Sequence, residues 1–398
     1  MAIKIYHAGQ AGAPSLQGQA GSLITVLDAV LVNGYNSVSV SSITRSGGTA
    51  TVTTSTAHGL STGDSALVAG ADQTDYNIEA VITVTSATVF TYTVANSPTT
   101  PATGTITVKR APAGFTKTYS GTNKAAYRSN DTGGTRPYLQ VIDDASTAGA
   151  AREAKVRGYL TMTDVDTGSE PFPTAAQQSA GLYAYKSATA DTTNRPWVLI
   201  TNGKTFYFQA SMDQSPPGMQ ASGGHLWFFG FGDIISSRPV DSYKAFLAAN
   251  NAANQQVTTT VSSCANGMLA PAIRTANPSI ACSYIVRSYN QVTGAVIMNQ
   301  MGHGWDQNAV GTLGIFPYPH TPDNGFMMTQ LLCMQGGVLR GVMPGVYEAL
   351  HGRVLDQFEV IENVDGFTGR KFMALWGRNA SGTADTGMLV FDITGPWG

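Results

Sequence analysis

The chain has 398 residues, with 23 Lys+Arg against 25 Asp+Glu, a formal net charge of −2, and 12% charged against 42% hydrophobic side chains. That length allows one large domain or two to three ordinary ones, with a core that needs no disulfide staples. The apolar content argues against bulk disorder, the near-neutral balance against a general nucleic-acid binder, and no apolar run approaches the roughly 18 residues of a membrane span.

In chain order, Met1–His7 lacks the apolar stretch of a secretion signal, so synthesis and retention in a cytosol are expected. Residues 9–21 are rich in Gly, Ala and Gln without periodicity, and read as an extended arm. A helix is predicted over 22–34: Ser22 is the expected N-cap, Leu23, Val26, Leu27, Val30 and Leu31 recur at helical spacing, and Asn33-Gly34 supplies the stop. The composition then changes abruptly. Residues 38–109 include 18 Thr, only six charged side chains, and neither Trp nor Cys. Alternation at 50–54, 80–84, 89–94 and 104–108 predicts strands with Thr on the wet face, separated by turns at 46–48, 59–64 and 97–101. Ordinary composition resumes on both sides. The expected architecture is therefore mainly β, with a small all-β sandwich module (38–109) inserted into a large strand-rich domain made from 1–37 and 110–398. Further strands are expected at 138–143, 197–201, 205–209, 225–230, 284–287, 358–362 and 388–393, with Asn202-Gly203 as a hairpin turn. A second helix is expected at Val240–Asn250, with Tyr243, Phe246 and Leu247 on its apolar face, and a loop from Ala248 to Gln256.

Four features could carry chemistry. Gly59-Leu60-Ser61-Thr62-Gly63 matches a nucleophile-elbow pattern, but that elbow joins a strand to a helix, whereas strands flank this one; with His58 beside it, a β-turn is the better account. Asp164-Val165-Asp166-Thr167-Gly168, with Glu170 nearby, has part of a calcium-loop spacing without its third Asp/Asn or its closing bidentate Glu, so a polar turn is expected over a weak cation site. His225, Trp227 and Asp233 in one aromatic run, and His303, Trp305 and Asp306 in a glycine-flanked loop, could belong to a sugar-binding or hydrolytic site. Asp233 and Asp306 would be the candidate carboxylate pair, although the aromatic run reads first as core or interface. Cys264, Cys282 and Cys333 are odd in number and form no CxxC, as expected of free thiols. No catalytic, cofactor or metal residue is assigned.

The module pattern, Ala50-Thr51-Val52-Thr53-Thr54 followed by Ala57-His58-Gly59-Leu60-Ser61-Thr62-Gly63-Asp64, Asp75-Tyr76-Asn77 and Ala87-Thr88-Val89-Phe90-Thr91-Tyr92-Thr93-Val94, resembles a small β-sandwich module that recurs in bacteriophage virion proteins. The flanking chain, through Gly21-Ser22-Leu23-Ile24, Gly121-Thr122-Asn123-Lys124, Met162–Gly168, Phe229–Asp233 and Phe391–Trp397, resembles uncharacterised structural proteins of tailed phages. The resemblance implies a non-enzymatic virion component on the outside of the particle (capsid decoration, collar or tail-associated). Its partners would be copies of itself and other virion proteins, with no nucleic acid, cofactor or membrane span. The arm at Gly9–Gly21 and the segments around Trp227 and Trp305 are the expected contact surfaces. A receptor- or glycan-binding virion protein, or a hydrolase of cell-surface polymer, are the alternatives. The low charge fits a surface covered by neighbours, and equally an ordinary neutral β-rich protein.

Overall fold

The computed structural model describes residues 2–144, 152–175, 178–211, 226–249, 283–286, 298–299, 319, 324–335, 338–349, 351, 354–376 and 388–397. The fold is mainly β, and every described strand pairing is antiparallel.

Outside the threonine-rich segment, three sheets stack around two cores. The central sheet has six strands in the order Lys4–His7, Trp197–Thr201, Phe206–Ser211, Leu226–Asp233, Ala245–Ala249, Ser283–Val286. One of its faces, with Leu199, Phe206, Phe208, Phe231 and Leu247, packs on a five-stranded sheet that contributes Phe115, Tyr127, Leu139, Val141, Val156 and Leu182. The other face, with Val198, Ile200, Tyr207, Phe228 and Phe246, packs on a seven-stranded sheet that contributes Met343, Val346, Phe372, Leu375 and Val390. A sheet covered on both sides favours nearly continuous apolar runs over alternation, with any buried polar side chain enclosed as well. Trp197–Thr201, Phe206–Ser211 and Ala245–Ala249 are accordingly buried throughout.

This arrangement corrects the helix expected at Val240–Asn250. Ala245–Ala249 is a strand paired with Gly230–Asp233; it sends Phe246 and Ala248 into one core and Ala245, Leu247 and Ala249 into the other. A short all-apolar run carries no period, and burial between two cores chose the strand. Ala248 and Ala249, expected in a loop, belong to this strand; the rest of that loop lies outside the described residues.

The first helix forms where expected, as an α-helix over Ser22–Leu27 continuing as a π-helix over Asp28–Asn33. Leu23, Val26, Leu27, Val30 and Leu31 are fully buried against the five-stranded sheet. Each contributes about 1.5–3 kcal/mol of burial. Gly34 ends it with φ 68°, its missing Cβ admitting the carbonyl oxygen of Arg110, which would lie 2.3 Å from one. The cap differs from expectation. Gly21 is the N-cap residue, and the Leu23 N–H is taken by Asp143 Oδ2 at 2.8 Å, while the Ser22 hydroxyl accepts from the Gln17 N–H. The arm before the helix lies along the chain's own body: Leu16 is buried and bridged to Arg195, and Trp197 Nε1 donates to the Pro14 carbonyl at 3.0 Å.

The threonine-rich strands form a seven-stranded sheet in the order Glu79–Val81, Ser65–Ala71, Gly104–Arg110, Tyr35–Ser46, Thr49–Thr54, Val89–Thr93, Thr83–Ser86. The long strand Tyr35–Ser46 pairs with Gly104–Arg110 in its first half and Thr49–Thr54 in its second, with register shifts between. Such irregularities bend and twist a strand. The sheet encloses a separate core of Ile43, Val52, Val68, Tyr76, Ile82, Phe90, Tyr92 and Val108. The ladder opens at Tyr35↔Arg110, upstream of the composition change at Val38.

Candidate functional site

A cleft of about 480 Å³ with mixed polar and apolar walls opens where the central sheet meets the seven-stranded sheet that contains Val338–Ala349. Its floor is Asp233, the last residue of the strand Leu226–Asp233. Gly232, at φ 146°, brings that strand against the neighbouring hairpin; a Cβ there would meet Thr205 Oγ1 at 2.3 Å. The hairpin turns through Asn202-Gly203 as expected, with Asn202 Oδ1 accepting the N–H groups of Lys204 and Thr205 at 2.9 and 2.8 Å. The Gly133-Gly134-Thr135 loop closes over Asp233, whose Oδ2 accepts the Thr135 N–H at 2.7 Å and whose Oδ1 accepts the Thr135 hydroxyl. Lys244 Nζ lies 3.8 Å from the same carboxylate, and Lys204 Nζ lies 3.7 Å from Asp131.

On the opposite wall Asp241 accepts from the Ser236 hydroxyl and the Tyr243 N–H, both at 2.7 Å, with Arg340 at 3.6 Å. Arg340 also donates to the Tyr243 carbonyl at 3.0 Å. At the rim, Val240 is fully exposed with φ 53°. That conformation is an outlier for a β-branched residue. Lys204, Arg238 and Lys244 line the cleft together with Asp233 and Asp241, so charges of both signs face it. Such a lining suits recognition of a neutral, hydroxyl-rich or zwitterionic ligand.

Of the motifs read from sequence, Asp233 is the one the fold places in a cleft. His58 is buried, its Nδ1 accepting the Leu60 N–H at 3.0 Å, its Nε2 3.1 Å from the Ser86 carbonyl, and its ring edge-on to Phe90. The exposed Ser61 lies in the turn joining two strands, where its N–H donates to Asp64 Oδ2 at 2.7 Å. No elbow forms, because no helix follows. In the Asp164–Gly168 turn the Asp166 N–H donates to Asp164 at 2.7 Å, which holds the Asp164 carboxyl below its usual range, and Lys124 pairs with Asp166 at 2.7 Å. Among the described residues, no group of three or more His, Cys, Asp or Glu is placed to hold a metal ion.

Phe228, Phe229 and Phe231 are core residues, so as a contact surface this aromatic run is corrected; the strand's two faces meet two different cores. Cys333 is buried as a free thiol, pushed up to about 12 by desolvation. His225, His303, Trp305, Asp306, Cys264 and Cys282 lie outside the described residues, so the Asp233–Asp306 pairing is not placed.

Sequence reasoning missed a second polar constellation. Asp143 and Lys186 form an ion pair with both side chains at 0% exposure. Strand parity carried a signal for it: Lys186 follows Leu182 and Ala184 on the inward face of Leu182-Tyr183-Ala184-Tyr185. No protein-family model matches the chain, and no curated protein matches it.

Proposed function

We propose that this chain is a non-enzymatic structural component of a tailed-phage particle, on the outside of the virion, acting through contacts with copies of itself and other virion proteins. The observation that carries the assembly reading is an uncharged cross-strand array of hydroxyl side chains on the threonine-rich sheet. Thr44, Thr51, Thr91 and Thr83 stand in one cross-strand row over four strands, and Ser46, Thr49 and Thr93 in the next. A face this poor in charge and this regular suits docking against another protein surface, since charge is what interface cores exclude. The phage assignment itself rests on the sequence resemblance.

The test is sedimentation velocity of the purified chain, followed by its copy number in particles. Self-association lost in a Thr51→Lys, Thr91→Glu double variant of unchanged melting temperature supports the reading. A wild-type monomer at high concentration that also fails to join particles overturns it. The Asp233 cleft favours one alternative, a glycan-binding virion protein. Adsorption of the isolated chain to host cells, abolished by Lys244→Ala, would favour that reading.

A further inference from the structure

Asp143 and Lys186 reach each other by strand geometry. Asp143 follows the strand Tyr138–Ile142, and Lys186 follows Leu182–Tyr185. Both strands finish at the same end of the five-stranded sheet, with Glu153–Tyr159 between them, in register Ile142↔Lys155 and Ala154↔Ala184. Alternation puts Asp143 on the face of Leu139 and Val141, and Lys186 on the face of Leu182 and Ala184, which is the same apolar core. The register puts Asp143 level with Ala184, two residues before Lys186, so the backbones stand two inter-strand spacings, about 9.6 Å, apart across the sheet and are offset along it. The lysine stem and the aspartate side chain span that gap together, over the small side chain of Ala154.

The carboxyl and the amine are then fixed by the helix entry. Lys186 Nζ donates to Asp143 Oδ1 and to the Gln19 carbonyl. Asp143 Oδ2 accepts the Leu23 N–H at 2.8 Å. The Gly21 N–H donates to the Asp143 carbonyl at 2.8 Å.

We propose that the Lys186 amine and the Asp143 carboxyl condense autocatalytically into an intramolecular isopeptide bond, Nζ to Cγ. Desolvation pushes Asp143 up and Lys186 down from their ordinary values, although each partner's charge opposes the shift in the other. Burial thus favours passing the proton from ammonium to carboxylate, giving a free amine and a carboxylic acid. The nitrogen lone pair attacks Cγ. The negative charge that develops on Oδ2 is met by the Leu23 N–H, in the manner of an oxyanion hole. The Cγ–Oδ1 bond breaks, and Oδ1 leaves as water with the acid proton and one amine hydrogen. The hydrogen left on the amide nitrogen stays directed at Gln19. Nothing is oxidised or reduced, and no co-reactant is consumed. Rigid placement of both groups supplies the effective concentration that an amine and an acid lack in solution. Water has an exit, because Gln19, Gly21 and Ser22 line an open groove of about 560 Å³ on the outer side. Glu153 pairs with Tyr185 on the opposite face of the sheet; its charge still reaches Lys186 and favours the ammonium, as Asp143 does, while the helix entry polarises the carboxyl.

Intact-mass spectrometry of the denatured full chain tests this. The wild type should be lighter than its sequence by one water. Tryptic digestion should give a branched peptide joining residues 129–152 to 158–204, because acylated Lys186 resists cleavage and Arg136 and Arg195 precede proline. Lys186→Met should restore the full mass, and Asp143→Asn should lose ammonia in place of water at the same branch. The wild-type measurement stands whether or not the variants fold. Full sequence mass in the wild type, or loss of water without the branched peptide, would overturn the proposal and leave an ordinary buried ion pair.

Discussion

In the threonine-rich sheet the strand Thr49–Thr54 buries Ala50, Val52 and Thr54 and leaves Thr49, Thr51 and Thr53 partly or wholly exposed. In the central sheet Phe206–Ser211 buries every residue. Both strands are antiparallel and of the same length, yet only the first alternates visibly in sequence. The difference lies in what covers the second face. Water covers it in one case and a second aromatic core in the other, where Tyr207 meets Phe391 and Trp397 while Phe206 meets Phe115 and Phe229. A sandwiched sheet hides its period and depends on distant chain for its burial; a one-sided sheet with its own core advertises its period.

Four experiments sharpen or break that contrast. The largest effect is expected from Leu27→Asp, which puts a carboxylate into the core shared by the helix and two sheets. An uncompensated buried charge exceeds what a domain stability of about 5–15 kcal/mol absorbs easily. Circular dichroism and solubility should show the body unfolded; a cooperative melt at the wild-type temperature would refute the helix's role. Next come two phenylalanine truncations. Phe206→Ala and Phe90→Ala should each cost about 3–5 kcal/mol. Calorimetry should show each lowering a different transition, since the two side chains belong to separate cores; both moving one transition equally would mean a single cooperative unit.

Replacing residues 38–109 by a short Gly/Ser linker should leave the body folded. The ends of the excised ladder already meet at Tyr35↔Arg110, and loop closure cost grows slowly with length. What would be lost includes the pair Lys4–Glu79 at 2.6 Å, with Glu79 half-exposed, so Glu79→Gln alone should cost at most about 1 kcal/mol. An insoluble linker variant would show the threonine-rich sheet to be part of the body. The smallest effect concerns pH. Burial holds His7 below its usual 6.5, and its Nδ1 accepts the Gly9 N–H at 3.2 Å. The folded form therefore disfavours the protonated ring. That contribution is complete above pH 6.5 and fades as pH falls through the lowered value, by less than about 1 kcal/mol for one exposed hydrogen bond. A melting temperature that rises on acidification in wild type but not in His7→Asn would contradict the sign.

The candidate site was legible only in fragments. Asp233 was visible as a carboxylate after an aromatic run, and Asn202-Gly203 as a hairpin. Their meeting with Gly133–Thr135 was not, because the loop is brought in by a different sheet. Asp241 and Arg340 lie about a hundred residues apart and join through the pairing of Ile235–Ser236 with Gly341–Val342.

By itself the sequence determined whatever depends on neighbours along the chain. Helical spacing at 23–31, alternation at 49–54 and 89–93, and the Gly34 and Gly203 turns follow from local backbone geometry and from which side chains tolerate water. Only the tertiary structure decided whatever depends on covering both faces of an element. Ala245–Ala249 became a strand because two cores met there, and the helix took its cap from Asp143 rather than Ser22. The carboxylate and the lysine that a solvated reading would leave on the surface were enclosed together. Burial and charge pairing are properties of surroundings, and those surroundings are assembled from strands far apart in the chain.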